Sequence, residues 1–212
     1  MPAEWERQQS TLIGWPYNKN DWPGKFNNIP KIFAKIISKI TKSQEVNLLI
    51  KNHKSKNIIK KLLRKNNARM RNIKFIICET DRVWMRDIGP IFVKDKKNQN
   101  ILLNWEFNGW ARYKNYRADN RVNLRIKDHY KGNVINPEFD KKSIVLEGGA
   151  IDVNGKGLLL TTKECLLSKI QQRNSFLKRK DYNLIFKKFF GAKKVIWLNK
   201  GIAGDDTHGH VD

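Results

Sequence analysis

The sequence predicts an α/β protein built from repeating helix-and-strand units. Short apolar runs of strand length alternate with longer segments whose apolar residues recur at helical spacing. Glycine and proline mark the joints, and no stretch has the composition of a linker. At 212 residues, with 40% hydrophobic and 10% aromatic residues, the chain is long enough for one sizeable domain with its own core.

Thr11 to Pro16 reads as a short buried strand ended by proline. An amphipathic helix follows, with Ile29, Ile32, Phe33, Ile36, Ile37 and Ile40 on its apolar face and lysines between them. Val46 to Ile50 is a strand. Residues 54–66 form a second basic helix that turns Ile58, Ile59, Leu62 and Leu63 inward. The strand Ile73 to Cys78 leads into the polar stretch Asp81 to Asp87. Pro90 to Val93 and Ile101 to Trp105 form a hairpin, and Asn120 to Tyr130 is helical. Ser143 to Leu146, Ala150 to Val153 and Gly157 to Thr161 make a strand cluster, the last two joined at Asn154-Gly155. Tyr182, Ile185, Phe186, Phe189 and Phe190 mark a helix ending at Gly191, before the strand Lys194 to Leu198.

Composition narrows the function classes. No apolar run approaches the roughly 20 residues of a membrane-spanning helix, and the N-terminus lacks the pattern of a secretory leader. Two cysteines, Cys78 and Cys165, cannot build a disulfide framework and fit a reducing, cytoplasmic setting. The formal net charge of +23 fits either a polyanion-binding face or a lysine-rich solvated surface from a codon-biased genome. The lysines are scattered, with runs such as Lys60-Lys61 and Lys96-Lys97-Asn98, and no arginine-rich arm or nucleic-acid motif accompanies them. A solvated surface is the expectation, and nucleic acid is not an expected partner. No GxGxxG or P-loop pattern follows a strand.

Three polar clusters each follow a strand. In Asp81 to Pro90, Trp84, Arg86 and Asp87 set a carboxylate beside an aromatic wall, which suits a flat cation. The alternative is a surface ion pair, Arg86 with Asp87 or Arg82 with Asp81, and Trp84 in the core. In Leu146-Glu147-Gly148-Gly149, a carboxylate precedes two glycines that admit close approach, or else it is an exposed glutamate on a plain bulge. In Gly204 to Asp212, His208, His210 and Asp212 have strand-face spacing for metal ligands. His53 and His129 add nothing to such a set, so the preferred reading makes His210 an acid/base group beside Asp212, with no metal. Cys78 and Cys165 lie in apolar settings and read as structural thiols, not activated nucleophiles.

Together these clusters resemble the agmatine deiminase and bacterial peptidylarginine deiminase family. The similarity runs from Met1-Pro2-Ala3-Glu4-Trp5-Glu6 through Trp84-Met85-Arg86-Asp87-Ile88-Gly89-Pro90, Phe107-Asn108-Gly109-Trp110 and Leu146-Glu147-Gly148-Gly149. It continues through Leu159 to Leu167 and ends at Asp206-Thr207-His208-Gly209-His210-Val211-Asp212. The resemblance implies a pseudo-five-fold α/β propeller. It also implies hydrolytic deimination of a guanidinium, agmatine to N-carbamoylputrescine and ammonia in putrescine biosynthesis, through a cysteine-bound amidino intermediate. By the resemblance, Asp87 and Asp212 grip the guanidinium, His210 is the general acid/base and Glu147 is the site glutamate. Trp84 stands where a wall of the substrate pocket would be, and no metal or organic cofactor is needed.

The family's nucleophilic cysteine lies well beyond the His-x-Asp motif, and this sequence ends inside that motif. The expectation is therefore a single, C-terminally truncated catalytic domain over 1–212, an incomplete propeller that is inactive alone and depends on a complementing C-terminal fragment. The competing readings are a peptidylarginine deiminase, a polyanion-binding module and a non-functional truncated product.

Overall fold

The computed structural model describes every residue except Lys131. The chain divides into two compact units, one of Arg7–Met85 and one of Met1–Glu6 with Arg86–Asp212.

The Arg7–Met85 unit alternates strand and helix: β1 (Ser10–Gly14), α1 (Ile29–Ile40), β2 (Glu45–Ile50), α2 (His53–Lys65) and β3 (Ile73–Ile77). The strands form one parallel sheet in the order β1-β2-β3, with Ile13 opposite Leu48 and Leu48 opposite Phe75. Pro30 fits the first turn of α1, where no amide hydrogen is needed. The Asn52 side chain caps α2 by accepting from the Ser55 amide at 3.0 Å. Val46 and Leu48 of β2 are fully buried with Ile37 of α1 and Leu63 of α2. Each contributes about 1.5–3 kcal/mol of burial.

Both helices present a narrower apolar face than their isoleucine pattern predicts. Ile32 and Ile36 are each 46% exposed and Ile58 is 73% exposed. The covered face of α1 runs through Ala34, Ile37 and Ser38, and Ile36 lies about 100° around the helix from Ile37. In the same unit Trp84 is half-exposed and stacks against Trp22, ring centroids 6.2 Å apart, with Trp22 also meeting Phe26 and Phe33.

After Met1–Glu6, the other unit resumes at Arg86 within the one-turn helix α3 (Met85–Ile88). β4 (Ile91–Lys94) and β5 (Asn100–Leu103) pair antiparallel as expected, and β6 (Asn133–Ile135) adds parallel to β5. The expected helix over Asn120 to Tyr130 is interrupted, because α4 (Val122–Ile126) lies between two single 3-10 turns. A tight hairpin joins β7 (Glu138–Phe139) to β8 (Lys142–Ser143). The expected strand Ser143 to Leu146 pairs at Ser143 and again at Val145, which bridges Glu106 in parallel. On the other edge of Val145, the Asn174 side chain bonds both its amide and its carbonyl, at 2.9 and 2.8 Å.

β9 (Ile151–Val153) and β10 (Leu158–Thr162) are antiparallel across the Asn154-Gly155 turn. α5 (Lys163–Leu167) and α6 (Arg179–Phe190) then carry the chain to β11 (Lys194–Leu198), parallel to β10. α6 buries Tyr182, Ile185, Phe186 and Phe190 in this unit's core and stops at Gly191, whose φ of +70° is left-handed. Among the described residues, no helix is long and apolar enough to cross a membrane.

Candidate active site

Four of the residues singled out in the sequence converge within the second unit. α3 supplies Asp87, and Gly89-Pro90 ends that turn. Asp87 Oδ1 accepts from the Gly149 amide at 3.1 Å, and Oδ2 accepts from the Trp110 indole at 3.0 Å. Trp110 itself sits at a left-handed φ of +56°, an unfavourable conformation for a bulky residue. It is held there because Asn108 caps the turn at Ala111 (2.8 Å) and the Gln171 amide donates to the Trp110 carbonyl (3.2 Å).

Glu147 follows the buried Ile144 and Leu146 and is itself fully buried, so the exposed-bulge alternative is excluded. Its Oε1 receives the Arg173 guanidinium at 2.9 Å, and neither side chain is solvent-accessible. His210 hangs from the loop after β11. The Gly209 carbonyl accepts from Thr162 Oγ1 at 2.6 Å, and the Val211 amide reaches the Gly149 carbonyl at 3.1 Å. The loop passes so close to α5 that a Cβ on Gly209 would lie 2.9 Å from the Cys165 amide nitrogen, and its φ of +94° favours glycine.

His210 therefore stands inside a ring of carboxylates. Its Nδ1 is 3.7 Å from Asp87 Oδ1 and 3.7 Å from Asp212 Oδ1, and its Nε2 is 3.8 Å from Glu147 Oε2. Both His210 Nε2 and Glu147 Oε2 are buried without a hydrogen-bond partner. Asp212 is steadied from behind by Arg86 Nε at 3.3 Å, and Arg86 also pairs with Glu4. The surface pair of Arg86 with Asp87 considered from sequence is thus replaced by Arg86 with Asp212 and Glu4. Gly149 makes the floor: a Cβ there would lie 2.4 Å from His210 Nδ1, 2.6 Å from Asp87 Oδ1 and 2.8 Å from Asp212 Oδ1.

The electrostatics follow from this crowding. Burial pushes the Asp87 carboxyl up to about 6, against the pull of His210. Burial opposes charge on Glu147 too, but Arg173 and then His210 outweigh it and hold that carboxyl below its ordinary value. Burial also disfavours a charged imidazole, yet Cys165, Glu147 and Asp87 together raise His210 to about 10. At neutral pH the site thus holds an imidazolium beside the ionised Asp87 and Glu147, a proton donor in place. Burial pushes the Cys165 thiol up, which keeps it protonated.

Glu147, Cys165 and His210 each offer a donor atom within 4.8 Å of the others, the one such trio among the described residues. It is not the His208, His210, Asp212 set considered from sequence, since His208 faces Ser168 Oγ at 3.3 Å. Arg173 and the protonated His210 already supply the positive charge that a cation would bring. Trp84 belongs to the Arg7–Met85 unit. Sequence reasoning assigned no role to Arg173, Trp110 or Gln171, and it missed that Cys165, though buried as expected, borders the site.

These features define a class of α/β proteins that hold a cationic imidazole within a ring of carboxylates. The model of the Porphyromonas-type peptidyl-arginine deiminase family matches residues 1–212, and the chain belongs to that family. A Mycoplasma capricolum protein provisionally named an agmatine deiminase is 31% identical over 217 residues, covering 100% of this chain and 56% of that protein. The agmatine deiminase of Enterococcus faecalis superposes with a TM-score of 0.82 at 26% identity, over 100% of this chain and 56% of that one. A C. jejuni agmatine deiminase with a cysteine-to-serine change and substrate bound gives 0.81 at 29% identity, over 99% and 59%. The fold is thus the α/β propeller type of the deiminases, and the chain spans little more than half the length of the relatives it matches.

Proposed function

We propose that this chain is the guanidinium-binding and proton-handling part of an amidine hydrolase acting on agmatine. The observation that carries the reading is the set of carboxylates converging on His210 above Gly149. A guanidinium is a planar fork of N–H donors, and paired carboxylates meet it best. Asp87 and Asp212 lie on one side of the imidazole, at equal distance from its Nδ1, and are placed to take such a fork.

In this reading a cysteine thiolate attacks the guanidinium carbon. His210 gives its proton to the departing nitrogen, ammonia leaves, and an amidino thioether remains. His210, now neutral, takes a proton from water as that water adds to the same carbon. The C–S bond then breaks as the adduct's hydroxyl proton passes to solvent, releasing the ureido product and the thiolate. Glu147 stabilises the imidazolium form of His210. Neither Cys78 nor Cys165 suits the nucleophile's part, since both are buried and Cys165 stays protonated. The thiolate is assigned to a complementing C-terminal segment, with 1–212 forming one part of a single catalytic domain. The setting is cytoplasmic and the product feeds putrescine formation.

The test is agmatine binding by the 212-residue chain, measured by calorimetry against free arginine and an arginyl peptide. Agmatine should bind best, and its affinity should fall by about tenfold per pH unit below about pH 6, as Asp87 takes up a proton. Absence of saturable binding of any guanidinium by the folded chain would sink the reading. Ammonia release from agmatine by this chain alone would place the nucleophile within it.

A further inference from the structure

We propose that Arg173 is a positioning residue, which aims the free Oε2 of Glu147 at His210 and anchors the loop that carries the histidine. The proposal rests on the guanidinium-binding reading of the site and goes beyond it, to how the acid/base pair is held.

Arg173 lies in the segment between α5 and α6, within no regular element, yet its side chain is completely buried. Each end of the guanidinium has its own acceptor. Nε donates to Glu147 Oε1 at 2.9 Å, Nη1 donates to the Gln171 carbonyl at 2.8 Å, and Nη2 donates to the Thr207 carbonyl. Thr207 stands three residues before His210. One planar group thus links the site glutamate to the histidine loop. With Oε1 occupied, Oε2 is the oxygen left facing His210 Nε2, 3.8 Å away, and neither of those atoms has another partner.

The same segment steadies its neighbours. Asn174 fixes the backbone of Val145, two residues before Glu147, and Gln171 fixes Trp110, which in turn holds Asp87. Lysine could supply the charge in place of Arg173 but not three donors in one plane. The charged and titratable groups around Glu147 are Arg173, His210, Asp87, Cys165 and Tyr182.

The experiment compares the 212-residue chain with R173M and R173K, using agmatine as the probe. Calorimetry gives its affinity as a function of pH, and 13C NMR of glutamate-labelled protein follows the Glu147 carboxyl. In R173M the Glu147 titration should move up, and agmatine affinity should fall by about tenfold or more with an altered pH profile. R173K should restore part of the titration shift but little of the affinity. An unmoved Glu147 titration in folded R173M, with wild-type affinity and pH profile, would overturn the proposal. Should R173M not fold, R173K decides: wild-type affinity in that variant overturns it too. If the wild-type chain binds no agmatine while R173M still shifts Glu147, the guanidinium reading falls and Arg173's hold on the glutamate stands.

Discussion

Asp87 is a residue at which folding and binding pull in opposite directions. The fold buries its carboxylate between Gly149 and Trp110 and raises its titration from 3.8 to about 6. An acid raised in the folded state stabilises the fold only while protonated, so that contribution is present below about pH 4 and lost as pH rises through about 6. Above that, the ionised form strains the fold by on the order of 2–3 kcal/mol. Asn in its place keeps the shape and one acceptor without the charge. D87N should therefore be more stable than wild type by about 1–2 kcal/mol near pH 8, show no gain near pH 4, and lose agmatine binding. Urea unfolding at the two pH values checks this. A D87N chain less stable than wild type at the higher pH would show that the second acceptor lost at Trp110 or Gly149 outweighs the relief of the buried charge.

At the scale of the element, the turn Gly148–Ala150 between Glu147 and β9 separates fold from site. Gly149 has an ordinary backbone conformation, and an added Cβ would meet the tips of three side chains, His210, Asp87 and Asp212. At Gly148 the added Cβ would meet the Arg86 carbonyl at 2.2 Å, a backbone atom that cannot step aside. G149A should thus fold with a loss within about 1 kcal/mol, while its agmatine affinity drops by at least about tenfold. G148A should lose stability first. Thermal unfolding and calorimetry on the two variants test the contrast, and wild-type binding in G149A would mean the floor of the site is elsewhere.

The contrast also marks what the sequence could disclose. The α1, α2 and α6 helices and most strands were legible because burial of one face imposes a period on neighbouring residues. Asp87, Glu147, His210 and Asp212 were legible because each sits at a strand or turn end among glycines. Ile36 and Ile58 misled because periodicity shows which residues are apolar, not how wide a face the neighbours cover. Arg173 was invisible because a buried arginine in an irregular segment carries no local signature. Its partners, Glu147 and Thr207, lie 26 and 34 residues away along the chain. The Val145 segment pairs with Glu106 at a single bridge, and its other edge is taken by the Asn174 side chain, a partner 29 residues away that carries no local signature either.

For the whole molecule the governing quantity is a net charge of +23. Charge of one sign repels itself in the compact state, and salt screens that repulsion with a Debye length of about 10 Å at 0.1 M. The ionised site is nearly insulated from this, because Glu147 and Arg173 are buried as a pair. Raising sodium chloride from about 20 mM to about 300 mM at neutral pH should therefore raise the unfolding midpoint, while G149A and wild type keep their difference in stability. The same salt should release the chain from DNA-cellulose, with weak retention lost by about 0.2 M, as for a solvated basic surface. Retention that survives higher salt would show that the lysines form a true polyanion-binding face. In that case the charge would belong to a second activity and not merely to the solubility of the first.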